Sequence, residues 1–279
     1  MISKLSDSIP ISIVIFETHL QNGRAIRQSE RSPMMHISSY AHCPLRAHYE
    51  VSQVVDSSTT STSPISHNVP QDLYADNYLT IGTGVHEEID DAIERVPYRV
   101  VDSHVVVEFD GLHGECDSVI YSDQLMTKVV TVIDHKTVEQ RTFVKHQIYP
   151  PYGYIRQLLL YRYGLATKYG QAPEEIRMFL RFIFRSDPVY DWRDKTAIFD
   201  DKYKNEHPWL IYYPNNDRFV IYFDVDQYLN KNPLLKKEVL DIFHQDLEDL
   251  QNNVYRQNSS SECRWCSFFH NPDVGCHRQ

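Results

Sequence analysis

Gly114-Glu115-Cys116-Asp117, followed downstream by Val129-Val130-Thr131-Val132-Ile133-Asp134-His135-Lys136, is the stretch on which the reading of this chain turns. Residues 129–133 form a continuous run of β-branched side chains, the mark of a buried strand. Asp134 and Lys136 follow it two residues apart, so at a strand end they project to the same side. Strand interiors disfavour Asp unless something compensates it, which singles out Asp117. Strict alternation puts Glu115 and Asp117 on one face of their strand and Cys116 on the other, a buried thiol turned away from the carboxylates. A carboxylate pair suits a hard divalent cation. A neighbouring lysine can orient or help deprotonate an attacking water and neutralise charge developing on phosphorus. Taken alone, Asp-x-Lys is also what an ordinary surface ion pair looks like.

Working outward, residues 98–109 read as a strand, 111–114 as a turn and 113–121 as a second strand, so 129–134 completes a meander. Residues 154–169 follow as a helix stopped by Gly170, with Gln157 and Tyr161 four apart on one face. They can bind a phosphate or position a lysine, although a core tyrosine gives the same pattern. Strands are expected at 176–184 and 219–225, and a helix at 234–254. Upstream, Ile81, Val85, Ile89 and Ile93 recur at helical spacing, and His86 sits at the edge of that apolar stripe. Ser38 or Ser39 can cap a helix over 41–51, with Pro44 near its first turn. Residues 56–68 are a Ser/Thr-rich surface loop, and 11–16 (ISIVIF) can add an edge strand. Helix, helix, meander, helix, two strands, helix implies an α/β architecture, a mixed sheet with helices packed on it.

Composition narrows the function. Lys plus Arg number 28 against 38 for Asp plus Glu, a formal charge of −10, which disfavours a protein that coats nucleic acid by bulk charge. It does not disfavour one that cuts nucleic acid in a cleft lined with metal-binding carboxylates. Apolar residues at 42% and charged ones at 24% exclude collagen, coiled coil and wholesale disorder. The apolar run 11–16 is too short to span a bilayer and lacks a basic start, so the expectation is a soluble, cytoplasmic protein with no membrane partner. Cys43, Cys116, Cys263, Cys266 and Cys276 are odd in number, and three crowd the tail, which fits metal ligation better than a disulfide framework.

Taken in order, His86, Asp117 after Gly114, Asp134 with Lys136, and Gln157 with Tyr161 resemble the PD-(D/E)XK nucleases, specifically their RecB-like branch. The likeness spans about residues 36–279. It implies a restriction-endonuclease-like core over 36–257, an N-terminal extension over 1–35 and a cysteine module over 258–279. It further implies Mg2+ or Mn2+ held by Asp117, Asp134, His86 and the carbonyl of His135, with Lys136, Gln157 and Tyr161 in the reaction. Glu115 is a candidate base, and Arg46, Lys145 and Arg156 are candidate DNA-backbone contacts. Cys43 in its Cys-Pro context, with Cys263-x-x-Cys266 and Cys276, resembles the 4Fe-4S set of the CRISPR-associated exonucleases of the fourth Cas family. The gap before Cys276 is longer than theirs. That resemblance implies an exonuclease acting on single-stranded DNA, often from the 5′ end, in spacer acquisition with CRISPR adaptation proteins, and it leaves a homo-oligomer open. A local zinc site of Cys263, Cys266, Cys276 and His277 is the competing reading of the tail. A repair or viral recombination nuclease, or a non-catalytic DNA-binding subunit, are the competing readings of the whole.

Overall fold

The computed structural model describes residues 34–45, 47–48, 51, 101–122, 128–138, 151–184, 205–212 and 220–255. The expectations for 11–16, 56–68 and 81–93, and those for Arg46, His86, Lys145, Cys263, Cys266, Cys276 and His277, lie outside these residues.

The described strands are β1 (Met35–His36), β2 (Val101–Phe109), β3 (Leu112–Tyr121), β4 (Val129–Val138), β5 (Arg177–Phe184), β6 (Leu210–Tyr212) and β7 (Val220–Asp224). They form one sheet in the order β1-β3-β4-β5-β7-β6, with β2 paired to β3. β2, β3 and β4 are the antiparallel meander read from the sequence. β4 and β5 are parallel, and the connection between them contains α2 (Tyr152–Tyr169), as a parallel crossover requires. β5, β7 and β6 return antiparallel. The sheet is therefore mixed, as expected.

α2 is the central helix. Ile155, Leu158, Leu159 and Leu165 bury against the sheet in one cluster with Val105, Val107, Val132 and Leu180. Gly170 stops it in the left-handed conformation that favours glycine. Gly164 lets α2 lie close on β2, because a Cβ there would stand 2.0 Å from Val107 Cγ1. Gly164→Ala should therefore destabilise the protein by about 1–3 kcal/mol through overpacking. Urea unfolding of Gly164→Ala, with and without Val107→Ala, checks this, since the second truncation should recover much of the loss.

Three local features differ from expectation. β4 does not end at Asp134 but runs on to Val138, so Asp134, His135 and Lys136 lie inside the strand, opposite Leu180, Arg181 and Phe182 of β5. The first helix, α1 (Ile37–His42), starts before Ala41, with His36 as its cap, and it breaks at Cys43. The break has a steric cause: the residue before a proline is pushed out of the helical region, and Cys43 is extended at φ −158° and ψ 106°. Residues 44–45, 47–48 and 51 are again helical. The expected C-terminal helix is α4 (Pro233–Gln251), with Pro233 in its first turn, but a short helix that the sequence did not suggest, α3 (Val225–Lys231), precedes it directly after β7.

α1 and α4 are tied together although distant in sequence. Tyr40 donates its hydroxyl to the carbonyl of Asp246 at 3.0 Å. Arg156 of α2 pairs with the Asp246 carboxylate at 2.8 Å and reaches the carbonyl of Ala41 at 3.3 Å. His48 stacks on Tyr255, with ring centroids 4.3 Å apart. Arg156 is thus a buried strut, which removes it from the candidate DNA contacts: the helix face that carries it points into the protein.

Candidate active site

β4 and α2 build the centre of the site. Asp134 is 1% exposed, and Lys136 Nζ lies 2.8 and 3.0 Å from its two carboxylate oxygens. Lys136 also donates to Gln157 Oε1 at 3.2 Å, and Gln157 Nε2 donates to the Tyr161 hydroxyl at 3.2 Å. Because i and i+4 share a helix face, Tyr161 holds the Gln157 amide with its oxygen toward the lysine. Tyr154, one turn earlier on α2, places its ring 4.8 Å from Lys136 Nζ. The tyrosine three residues before Gln157 was legible as a neighbour on that face, yet the sequence reading passed over it.

Asp117 joins from β3. Its Oδ2 accepts the backbone N–H of His135 at 2.7 Å, and its carboxyl is hydrogen-bonded to that of Asp134. His135 points to the opposite side of the sheet, where its Nε2 meets Ser118 Oγ at 2.8 Å. Gly114 makes room for this corner: a Cβ there would lie 2.9 Å from Ile37 Cβ and 3.1 Å from Tyr161. That is the physical reason for a glycine ahead of Asp117.

Cys116 corrects the sequence reading. It is fully buried, as expected, but it belongs to the cluster beneath α2, and the charges that act on it include those of Asp117 and Asp134, with Lys168 opposing them. It lies on the carboxylate side of the sheet. Glu115 instead faces His104, with Nδ1 to Oε2 at 3.2 Å.

The electrostatics match the geometry. Burial pushes the Asp117 carboxyl above its ordinary value, against the pull of Lys136, the His135 N–H and His104. Burial also works against the Lys136 ammonium, but Asp134 and Asp117 outweigh it, and its pKa ends above the usual lysine value. The lysine is thus a fixed cation, suited to orienting and neutralising rather than to taking a proton. Burial raises the Tyr161 phenol well above its normal range, so it remains a neutral hydrogen-bonding group.

Among the described residues no group of three or more His, Cys, Asp or Glu side chains gathers at metal-binding distance. The donor set nevertheless fits a hard cation: two desolvated carboxyls share one corner beside the His135 backbone, and oxygen ligands are what Mg2+ and Mn2+ take. No described helix is long and apolar enough to cross a membrane. A profile of the PD-(D/E)XK nuclease superfamily matches residues 81–270, more than half of the chain. Neither a search of curated proteins nor one of solved structures found a match.

Proposed function

The chain belongs to the PD-(D/E)XK nuclease superfamily, and on that premise we propose that it is a metal-dependent DNA exonuclease acting on single-stranded ends from the 5′ side. The observation that supports this most is the line Asp117–Asp134–Lys136–Gln157–Tyr161, in which every side chain is held by the next. Asp117, Asp134, the carbonyl of His135 and His86 would hold Mg2+ or Mn2+, which when bound would supply Lewis-acid polarisation of the scissile phosphate and lower the pKa of a water. Lys136, kept charged by its two carboxylates, orients the attacking water and offsets the charge that builds on the phosphate oxygens. Gln157 fixes the lysine's position, and Tyr161 fixes the amide of Gln157. The burial of Asp134 and Gln157 keeps these contacts from being exchanged for water.

In the same proposal Cys43, Cys263, Cys266 and Cys276 hold a 4Fe-4S cluster, and residues 258–279 form a module that closes on Cys43. The ties of Tyr40, Ala41 and His48 to Asp246, Arg156 and Tyr255 support this, because they bring the Cys43 segment to the end of α4, the described helix that precedes the tail cysteines in sequence. The biological setting we propose is trimming of DNA for CRISPR spacer acquisition, with adaptation proteins as partners.

End-labelled single- and double-stranded DNA, incubated with Mg2+, Mn2+ or EDTA, tests the reading. Stepwise release of short products from the 5′ label of single strands, lost in EDTA, is the expected result. Internal fragments would replace exonuclease by endonuclease, and no metal-dependent cleavage of any DNA would remove the enzymatic reading.

A further inference from the structure

We infer that His104 is a positioning residue for Asp117: its left-handed backbone turns the β2–β3 ladder over, and that turn is what brings Asp117 to the same side of the sheet as Asp134 and Lys136. The inference rests on the proposed metal site and adds a residue that does not itself touch metal or substrate.

Three observations carry it. His104 has φ 52°, a conformation that costs a non-glycine residue energy and that a regular strand never uses. The β2–β3 register runs Ser103↔Ser118 and Val105↔Cys116, which leaves His104 across the ladder from Asp117. Finally, side-chain alternation fails at that pair. Gly114 faces Tyr161, so strict alternation puts Cys116 on that side and continues it with Ser118 and Ile120. The cluster under α2 instead contains Cys116, Val119 and Tyr121, while Ser118 bonds His135 on the other side. The flip therefore falls at Asp117. Without it, Asp117 would lie with His113 and Glu115 on the far face, remote from Asp134. With it, Cys116 and Asp117 both face the site, and the Asp117 carboxyl reaches Asp134 and the His135 N–H. Strain held at a functional position by the surrounding ladder is a recurrent device for aiming a side chain.

The residue at 104 should therefore matter through its backbone. His104→Gly and His104→Asn both tolerate a left-handed φ, and both remove the imidazole that meets Glu115. His104→Val is β-branched and drives the backbone back to an extended strand. The readouts are Mn2+ binding to the purified full-length protein by electron paramagnetic resonance, and its melting temperature with and without Mn2+. His104→Gly and His104→Asn should bind Mn2+ within about threefold of the parent, whereas His104→Val should bind about tenfold more weakly or worse, as loss of one carboxylate ligand implies. Should His104→Val fail to fold, His104→Thr provides a milder β-branched test. Equal Mn2+ affinity in all folded variants would overturn the inference, and so would a loss in His104→Asn equal to that in His104→Val, which would assign the role to the imidazole. Asp117→Asn separates the two levels. If it leaves Mn2+ binding intact, the proposed metal site fails; if it abolishes binding while His104→Val does not, only the role of His104 fails.

Discussion

Lys136→Ala should cleave DNA about 10²–10³-fold more slowly than the parent, or worse, as loss of a fixed charge aimed at a reacting phosphate implies. The structure adds a second consequence that a surface lysine would not have. Lys136 Nζ neutralises Asp134 at 2.8 Å and acts on Asp117, and it is largely buried. Without it, two carboxyls face each other with no cation between them. In EDTA the variant should therefore lose about 1–3 kcal/mol of stability, the loss being limited because one carboxyl takes up a proton instead. Divalent metal replaces the missing charge, so the Mg2+-induced rise in melting temperature should be larger in Lys136→Ala than in the parent. The pH dependence has a definite sign. Burial holds the folded Asp117 carboxyl above its unfolded value, so its contribution to stability is present at low pH and is lost as pH rises through the folded pKa. Removing Lys136 takes away a charge that pulls this pKa down, so in EDTA the loss should move to higher pH. Calorimetry across acid to neutral pH, with and without Mg2+, measures all three effects. A Lys136→Ala protein that is folded, equally stable in EDTA and fully active would remove the lysine from the site.

What the sequence disclosed and what it withheld follow from range. Apolar alternation is local, so the β2–β3–β4 meander, β5, β7 and the helix ending at Gly170 were readable within a few residues. The spacing of Gln157 and Tyr161 is also local, and the structure does bring both to Lys136. Asp117 was read with the wrong partner face, because the parity break depends on the backbone of His104, on a different strand, and histidine's preference for the left-handed region is too weak to mark one position inside a β-branched run. Arg156 was read as a candidate DNA-backbone contact because its counter-ion, Asp246, lies on another helix far along the chain. The three-residue β6 has too little pattern to be seen before its partner β7 is in place. The end of α1 was misplaced for a local reason that was available: Pro44 dictates an extended Cys43.

That extended residue is where the second large effect is expected. Cys43 ends α1, its N–H bonded to the carbonyl of Ser39 at 2.9 Å, and its half-buried side chain leaves the chain at the junction with the next helical segment. If its sulfur is one of four ligands of an iron–sulfur centre, protein purified without oxygen should be brown and carry about four irons per chain. Cys43→Ser should bleach that colour and lose most of the iron. It should also destabilise the protein by about 2–4 kcal/mol, in analogy with other crosslinks that close long loops. The loss should not be total, because Tyr40 to Asp246, Arg156 to Ala41 and the His48–Tyr255 stack hold the two ends of the fold together without the cluster. Cleavage should then fall with the fraction folded, and it should recover on cooling, since none of Asp117, Asp134, Lys136, Gln157 and Tyr161 requires an electron. Cys116 provides the control. It is fully buried beneath α2, so Cys116→Ser should leave iron and colour unchanged while costing stability through a buried hydroxyl. Zinc held by Cys263, Cys266, Cys276 and His277 predicts the opposite pattern: colourless protein with one zinc, and a Cys43→Ser variant whose metal content and stability match the parent. Metal analysis of these two cysteine variants therefore decides between a centre that joins both ends of the chain and one confined to its tail, and neither outcome alters the expectation for Lys136.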